Sequence, residues 1–329
     1  LIGRMEVMKK VSALVVILVL MVSSCIGCGK TKSKEDYTIK IGVLSTADSI
    51  PLYVASQEKT FERNGCKVEL VEFGSASDQS KAMEAGELDG MMTDMVVQCL
   101  VKKGGVDLKT VAIALGAEVT EGKFCIVASP NSKVNSIDNL AGSKVAISEG
   151  TMMEFLVDSY CDELGIDIDS IEKVSIPSLS LRYETLMEGN DVDCAILPEP
   201  LNDYALQNGA KLIIDDTTLQ NNYSNSVIVL RDSFIKEQNE LAQAFVKGYN
   251  EAIDNIENNP DKYKELALEV ARVPEDMKDI YVLPHYTKGA VPTEETVDRI
   301  VDWMVKKGLL TEGYSYKELV TDELQNKTN

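Results

Sequence analysis

The chain has 329 residues, enough for about two domains at ~100–200 residues each. Hydrophobic residues are 44% and charged residues 26%, which argues against both wholesale disorder and a multi-span membrane protein. Lys and Arg total 33 against 53 Asp and Glu, a formal charge of −20. Such a surface repels phosphate backbones, so nucleic acid is not the expected partner. The single histidine, His285, leaves no multi-histidine metal site within one chain.

Residues 5–10 read MEVMKK, and 11–29 carry no charge. The apolar run Val11 to Ser24 is short for a membrane span of ~20 residues. A basic start, an apolar run and then small residues make a secretory signal. It closes in Val22-Ser23-Ser24-Cys25, which resembles the lipobox of bacterial lipoproteins. That resemblance implies cleavage before Cys25 and diacylation of its thiol. Met5 and Met8 are both candidate starts. Residues 30–36, KTKSKED, have the composition of a flexible tether. Cys25 and Cys28 form a CxxC, but no second CxxC follows. Gly29-Lys30-Thr31 lacks the glycine that a phosphate loop needs, because Ser24 stands there. The remaining cysteines, Cys66, Cys99, Cys125, Cys161 and Cys194, lie mostly in apolar runs and are expected as buried free thiols.

In chain order, Thr38 to Leu44 alternates as a strand. A helix from Leu52 to Asn64 follows, closed by Gly65. Residues 66–73 form the next strand. A helix from Asp78 to Ala85 takes Ser77 as its N-cap. A short strand at 88–93 leads into a helix from Met95 to Lys103, and 110–115 is a strand. Strands at 124–129, 144–148, 173–177, 192–197 and 211–215 then alternate with helices near 136–141, 151–164, 180–188 and 200–208. This alternation predicts parallel α/β sheets with right-handed crossovers. After the strand at 226–232, residues 234–329 read as almost all helical, with Trp303 as a core anchor. The segments around Glu84-Ala85-Gly86-Glu87-Leu88-Asp89-Gly90 and Glu188-Gly189-Asn190-Asp191-Val192-Asp193 echo one another about a hundred residues apart. Each ends a helix and puts Asp at a strand start, which suggests two lobes of similar build.

The segments PLYVASQEKTFERNGCKVELVEF, KAMEAGELDG, IDNLAGSKVAISEGT and LRYETLMEGNDVDCAILPEPLNDYALQNGAKLI, in that order, resemble the type II periplasmic-binding-protein solute receptors. Within them the chain is most similar to the nitrate/taurine/alkanesulfonate and thiamine-pyrimidine-precursor group, across residues 38–310. The resemblance implies an α/β two-lobed fold with two mixed, mostly parallel sheets and a helical C-terminal region. It implies a signal peptide at 1–24, a lipidated tether at 25–36, lobe I at 37–123 and 227–329, and lobe II at 124–226. It further implies a monomer, anchored to the outside of the bacterial cell membrane by lipid, that delivers a small-molecule solute to an ABC-importer permease without a cofactor. The family often has Gly where Lys59 precedes Thr60-Phe61. Two alternatives share the fold: a ligand sensor for a membrane receptor, and a pyrimidine-synthase-like enzyme. The export signal and the absence of GxSxG and GxGxxG patterns oppose the enzyme.

In open α/β sheets, ligands bind beyond the carboxyl ends of the strands, where helix N-termini offer free N–H groups. The candidate ligand-binding residues at these positions are Ser45, Thr46, Asp48, Ser49, Ser75, Ser77, Thr93 and Asp94 in the first lobe, and Glu149, Gly150, Thr151 and Glu199 in the second. Taken singly, each Ser, Thr or Asp is equally an N-cap. Arg182 either binds a ligand carboxylate or pairs with a nearby acid. The loops carry Asp48, Asp94, Glu149 and Glu199 without Lys or Arg, so a neutral or amine-bearing solute is expected over nitrate or an alkanesulfonate.

Overall fold

The computed structural model describes residues 37–325. The expected signal and tether, and the lipidation expected at Cys25, lie outside the described residues. Among the described residues no helix is long and apolar enough to cross a membrane.

β1 (Thr38–Leu44), β2 (Lys67–Phe73), β3 (Gly90–Asp94) and β4 (Leu108–Leu115) run in one direction. They are joined by β10 (Ser226–Arg231) in a sheet of order β2-β1-β3-β10-β4. β10 is antiparallel to both its neighbours. The second sheet repeats this plan as β7-β6-β8-β5-β9. Its strands are β5 (Phe124–Ala128), β6 (Lys144–Ile147), β7 (Glu172–Ser175), β8 (Cys194–Pro198) and β9 (Lys211–Asp215). Here β5 is the antiparallel one. The two reversed strands are where the chain enters the second half and where it returns. At those crossings Gly116 has φ +87, and a Cβ there would lie 1.9 Å from the Ser224 carbonyl oxygen. The Gly116 carbonyl accepts from Asn222 Nδ2 at 2.8 Å and from Asn225 Nδ2, which binds the two crossings together.

The helices beside the first sheet are α1 (Ile50–Gln57), α2 (Thr60–Arg63), α3 (Ala76–Glu84) and α4 (Met95–Lys103). In the second half they are α5 (Met152–Glu163), α6 (Leu179–Glu188) and α7 (Leu201–Gln207). The chain then adds α8 (Asp232–Glu237), α9 (Asn239–Asn258), α10 (Lys264–Val270), α11 (Glu294–Lys306) and α12 (Tyr316–Leu319). The latter returns to the first sheet, where Thr110 bridges Val320. One apolar cluster runs through both halves, including Met91, Val97 and Val227 from the first and Phe155, Tyr160 and Ile196 from the second. All five described cysteines are buried and free.

Four local expectations are corrected. The helix read as Leu52 to Asn64 is two, α1 and α2, separated by Lys59 at φ 56. Packing against α9 demands the break: Phe61 stacks on Phe245 at 5.3 Å, and Thr60 Oγ1 donates to the Gly248 carbonyl at 2.6 Å. The third helix is capped by Ser75, whose Oγ accepts the Asp78 N–H at 3.2 Å. Ser77 lies inside that helix and is exposed. Residues 136–141 hold only a single tight turn, Ile137–Asn139. The tail is not continuously helical, because 272–293 is irregular apart from Glu275–Met277. Pro274, Pro284 and Pro292 deny that segment the amide donors a helix needs.

Candidate functional site

A cavity of about 220 Å³ lies where the carboxyl ends of both sheets meet. Its first-sheet wall holds Ser45, Thr46 and Asp48 after β1, Gly74 to Ala76 after β2, and Thr93 and Asp94 at the end of β3. Its second wall holds Ser148 and Thr151 after β6, Pro177 to Ser180 after β7, and Pro198 and Glu199 at the end of β8. Because β5 and β10 run backwards, their amino ends reach the same rim. They bring Gly122, Lys123, Phe124, Ser224 and Ser226. Four helices aim their N-termini here, and the caps themselves line the cavity. Besides Ser75, Asp94 Oδ1 accepts from Val97 N–H at 2.9 Å, Thr151 Oγ1 from Met153 N–H at 3.2 Å, and Ser178 Oγ from Leu181 N–H at 3.4 Å. Capping and cavity lining are therefore not alternatives at these positions.

Of the residues proposed from sequence, Ser45, Thr46, Asp48, Ser75, Thr93, Asp94, Thr151, Arg182 and Glu199 face the cavity. Ser49, Ser77, Glu149 and Gly150 do not line it. Ser49 is fully buried and donates to the Leu44 carbonyl at 2.7 Å. Glu149 is exposed, and the Gly150 N–H donates instead to Glu154 Oε2 at 2.9 Å. Among the described residues Arg182 pairs with no acid. Its guanidinium, in a residue only 1% exposed, donates to the carbonyls of Ile176, Ile196 and Pro177 at 3.0, 3.2 and 3.3 Å. It ties the loop after β7 to β8, and burial lowers its pKa to about 10.

The rim is not free of cations, contrary to the sequence-based expectation. Lys123 and Arg272 both line the cavity. Lys123 lies before a strand rather than after one, and only the reversal of β5 carries it to this edge. Arg272 arrives from the end of α10 with no local signal. Both are engaged: Lys123 Nζ lies 2.7 Å from Asp203 Oδ1 and 3.9 Å from Glu199 Oε1, and Arg272 pairs with Glu72. The acids are held under strain by burial. It pushes Asp94 up to about 6 and Glu199 up to about 7, and raises Asp48 despite a hydrogen bond from Thr46. Ionised carboxylates without counter-charge are costly in such surroundings. The Thr93 hydroxyl is buried and has no hydrogen-bond partner among the described residues. Apolar cover comes from Phe73, Met92, Leu115, Phe124, Met152 and Met153. Tyr286, from the irregular 272–293 segment, stands behind the first wall, where its Oη donates to the Ala47 carbonyl at 2.7 Å.

Two mixed sheets of one plan, joined by two crossings and enclosing a cavity at their shared edge, define a two-lobed binding-protein fold. The chain belongs to the NMT1-like family, whose profile matches residues 32–271. It is 23% identical, over 94% of its length and 91% of the relative's, to a Bacillus subtilis protein named for binding aliphatic sulfonates. It is also 23% identical, over 78% of this chain and 76% of the relative, to a Brachyspira hyodysenteriae protein named among ABC transporter periplasmic binding proteins. The fold is shared with the ligand-binding component of an ABC-type import system from Staphylococcus aureus, solved with zinc bound. The TM-score is 0.73 at 18% identity, covering 89% of this chain and 99% of that one. Among the described residues no group of three or more His, Cys, Asp or Glu is placed to hold a metal ion.

Proposed function

We propose that this protein is an extracytoplasmic receptor that closes over a small polar solute and delivers it to an ABC-importer permease. The observation that carries this reading is the cavity itself. It is built from both sheets, apolar over much of its wall, and carries a buried hydroxyl, that of Thr93, which no described residue satisfies. A buried unpartnered polar group is rare in a finished fold, and a ligand would supply the missing bond. Ser45, Thr46, Asp48, Ser75, Thr93, Asp94, Thr151 and Glu199 are the ligand contacts in this reading. Lobe I comprises 37–123 and 227–329, and lobe II 124–226. The relatives' names support a transport role outside the cytoplasm and a binding rather than catalytic one. Signal cleavage before Cys25, lipidation of its thiol and a tether to residue 36 would hold the monomer at the membrane. Diacylation of that thiol supplies the two chains that a firm hold requires.

The test is a thermal-shift screen of a solute library, with small-angle scattering on the hits. A ligand at one hundred times its dissociation constant adds ~2.7 kcal/mol to stability and should shrink the radius of gyration by lobe closure. Chemical turnover of a hit would replace the receptor reading with the enzyme one.

A further inference from the structure

Two helix N-termini converge on Asp94 from opposite walls of the cavity. The Val97 N–H of α4 donates to Oδ1 at 2.9 Å, and the Met152 amide that opens α5 also supports the carboxylate. A helix N-terminus is where a folded chain holds an anion, and here the protein's own carboxylate stands in that place. An incoming oxyanion finds the position filled. It also meets Asp48, which is near enough to Asp94 for the two charges to oppose each other. The cations of the wall offer no relief: Lys123 is held by Asp203, Arg272 by Glu72, and Arg182 by three carbonyls. On the first-sheet wall the charged groups that line the cavity without a cation beside them are the Asp48 and Asp94 carboxylates, and among the described residues the Thr93 hydroxyl beside Asp94 is buried without a partner.

We infer that the first-sheet wall is a site for a protonated primary amine, with Asp48, Asp94 and Thr93 Oγ1 offering three acceptors to the three N–H donors of one ammonium group. Phe73 and Met92, on the same wall, cover the carbon skeleton of that amine. The assignment rests on the receptor reading and narrows it: amines are taken, while sulfonates and nitrate are refused.

The experiment is calorimetry and thermal shift on the full chain at neutral pH, with butylamine, benzylamine and putrescine set against butanesulfonate, benzenesulfonate and nitrate at matched concentrations. At least one amine should bind saturably and no oxyanion should. Asp94→Asn keeps the helix cap, because Asn caps as well as Asp. That change and Asp48→Asn should each weaken the amine about tenfold or more, the loss of one charged hydrogen bond. Saturable binding of a sulfonate or nitrate overturns the assignment, as does amine binding that neither variant weakens. If no amine binds but a neutral solute stabilises the protein, the amine assignment falls and the receptor stands. If no solute of any class binds, the receptor reading itself falls.

Discussion

Asp89 and Asp193 occupy the same place in the two sheets. Asp89 Oδ2 accepts the Lys40 N–H at 2.8 Å, and Asp193 Oδ2 accepts the Lys144 N–H at 2.9 Å. Each Asp N–H returns a bond to the carbonyl of that same lysine, at 2.9 Å in both cases. Each Asp carbonyl also accepts from the chain of the reversed strand's edge, from Arg231 N–H in the first sheet and from Ser129 N–H in the second, again at 2.9 Å. One aspartate therefore joins three strands at the end of each sheet remote from the cavity. The short echo in the sequence is the visible trace of a repeated structural plan.

Replacing either aspartate with Ala strands a backbone N–H at a strand start. Asp89→Ala and Asp193→Ala should each cost ~1–2 kcal/mol, read as a lower urea midpoint. The two residues serve different sheets, so the double variant should lose the sum within ~0.5 kcal/mol. A double variant no worse than either single one would mean that the two sheets do not share one cooperative transition.

Much of this plan was legible because its signals are local. The helix Met95–Lys103 and the strand Lys211–Asp215 begin and end where their apolar pattern and caps place them. The cavity wall was legible for the same reason, since strand ends followed by Ser, Thr or Asp can be read in one pass. What escaped depends on distant chain. Lys123 faces the cavity only because β5 is reversed, and Arg272 and Tyr286 arrive from the far end of the sequence. Arg182 looked like a partner for an acid, yet three backbone carbonyls satisfy it, and no side-chain pattern announces a carbonyl. The break at Lys59 is imposed by Phe245 and Gly248, nearly two hundred residues away.

That break gives a stability prediction. Lys59 is an exposed residue in the left-handed region, at φ 56. The conformation costs an L-residue roughly 1–2 kcal/mol, whereas Gly pays ~0.5–1 kcal/mol in lost chain entropy instead. Lys59→Gly should therefore stabilise the protein by about 0.5 kcal/mol, seen as a small rise in urea midpoint at unchanged slope. Gly90→Ala, also a change at one backbone position, should go the other way. Its Cβ would meet Leu230 Cδ2 and the Val229 carbonyl oxygen, both at 2.5 Å. A loss of stability in Lys59→Gly would show that the lysine side chain contributes more than its backbone costs.

The only tryptophan lies across the two halves. Trp303, on α11 beside the first sheet, donates through Nε1 to Asp158 Oδ2 at 3.0 Å and meets Phe155 edge-on at 5.4 Å, both on α5. Lys307 Nζ reaches the same helix, 2.7 Å from Glu154 Oε1 and 2.8 Å from Asp158 Oδ2. In the receptor reading, opening of the lobes separates α11 from α5, so Trp303 emission should move to longer wavelength in the open state and back on ligand closure. Asp158→Asn removes the shared acceptor charge. It should favour the open state by about 1 kcal/mol and weaken ligand affinity about fivefold, although Asp158 lies outside the cavity lining. Unchanged emission on addition of a tight ligand would place the moving boundary elsewhere.

The buried acids set an unusual pH profile for the ligand-free protein. Burial is the leading cause at all three: it lifts Asp94 and Asp216 to about 6 and Glu199 to about 7. In each the folded value lies above the unfolded one, so the fold prefers the protonated form. The stability they contribute is full below about pH 4 and is lost as pH rises through about 6 to 7. Each group accounts for at most on the order of 3 kcal/mol over that window. Carboxylates held low oppose the trend only in stronger acid: the Lys102 hydrogen bond lowers Asp107, the Arg63 hydrogen bond lowers Glu251, and both groups lose their contribution as pH falls through their folded values. The melting temperature of the ligand-free protein should therefore peak near pH 5 and fall toward pH 7.5. Glu199→Gln, which cannot ionise, should remove part of the fall above about pH 6. An ammonium ligand requires Asp48 and Asp94 ionised, so its affinity should rise over the same interval in which the empty protein weakens, with uptake of ligand releasing protons. Melting curves and calorimetry in buffers of different ionisation enthalpy read both effects. A ligand-free melting temperature that climbs steadily from about pH 5 to 7.5 would show that these acids are ionised in the fold at little cost.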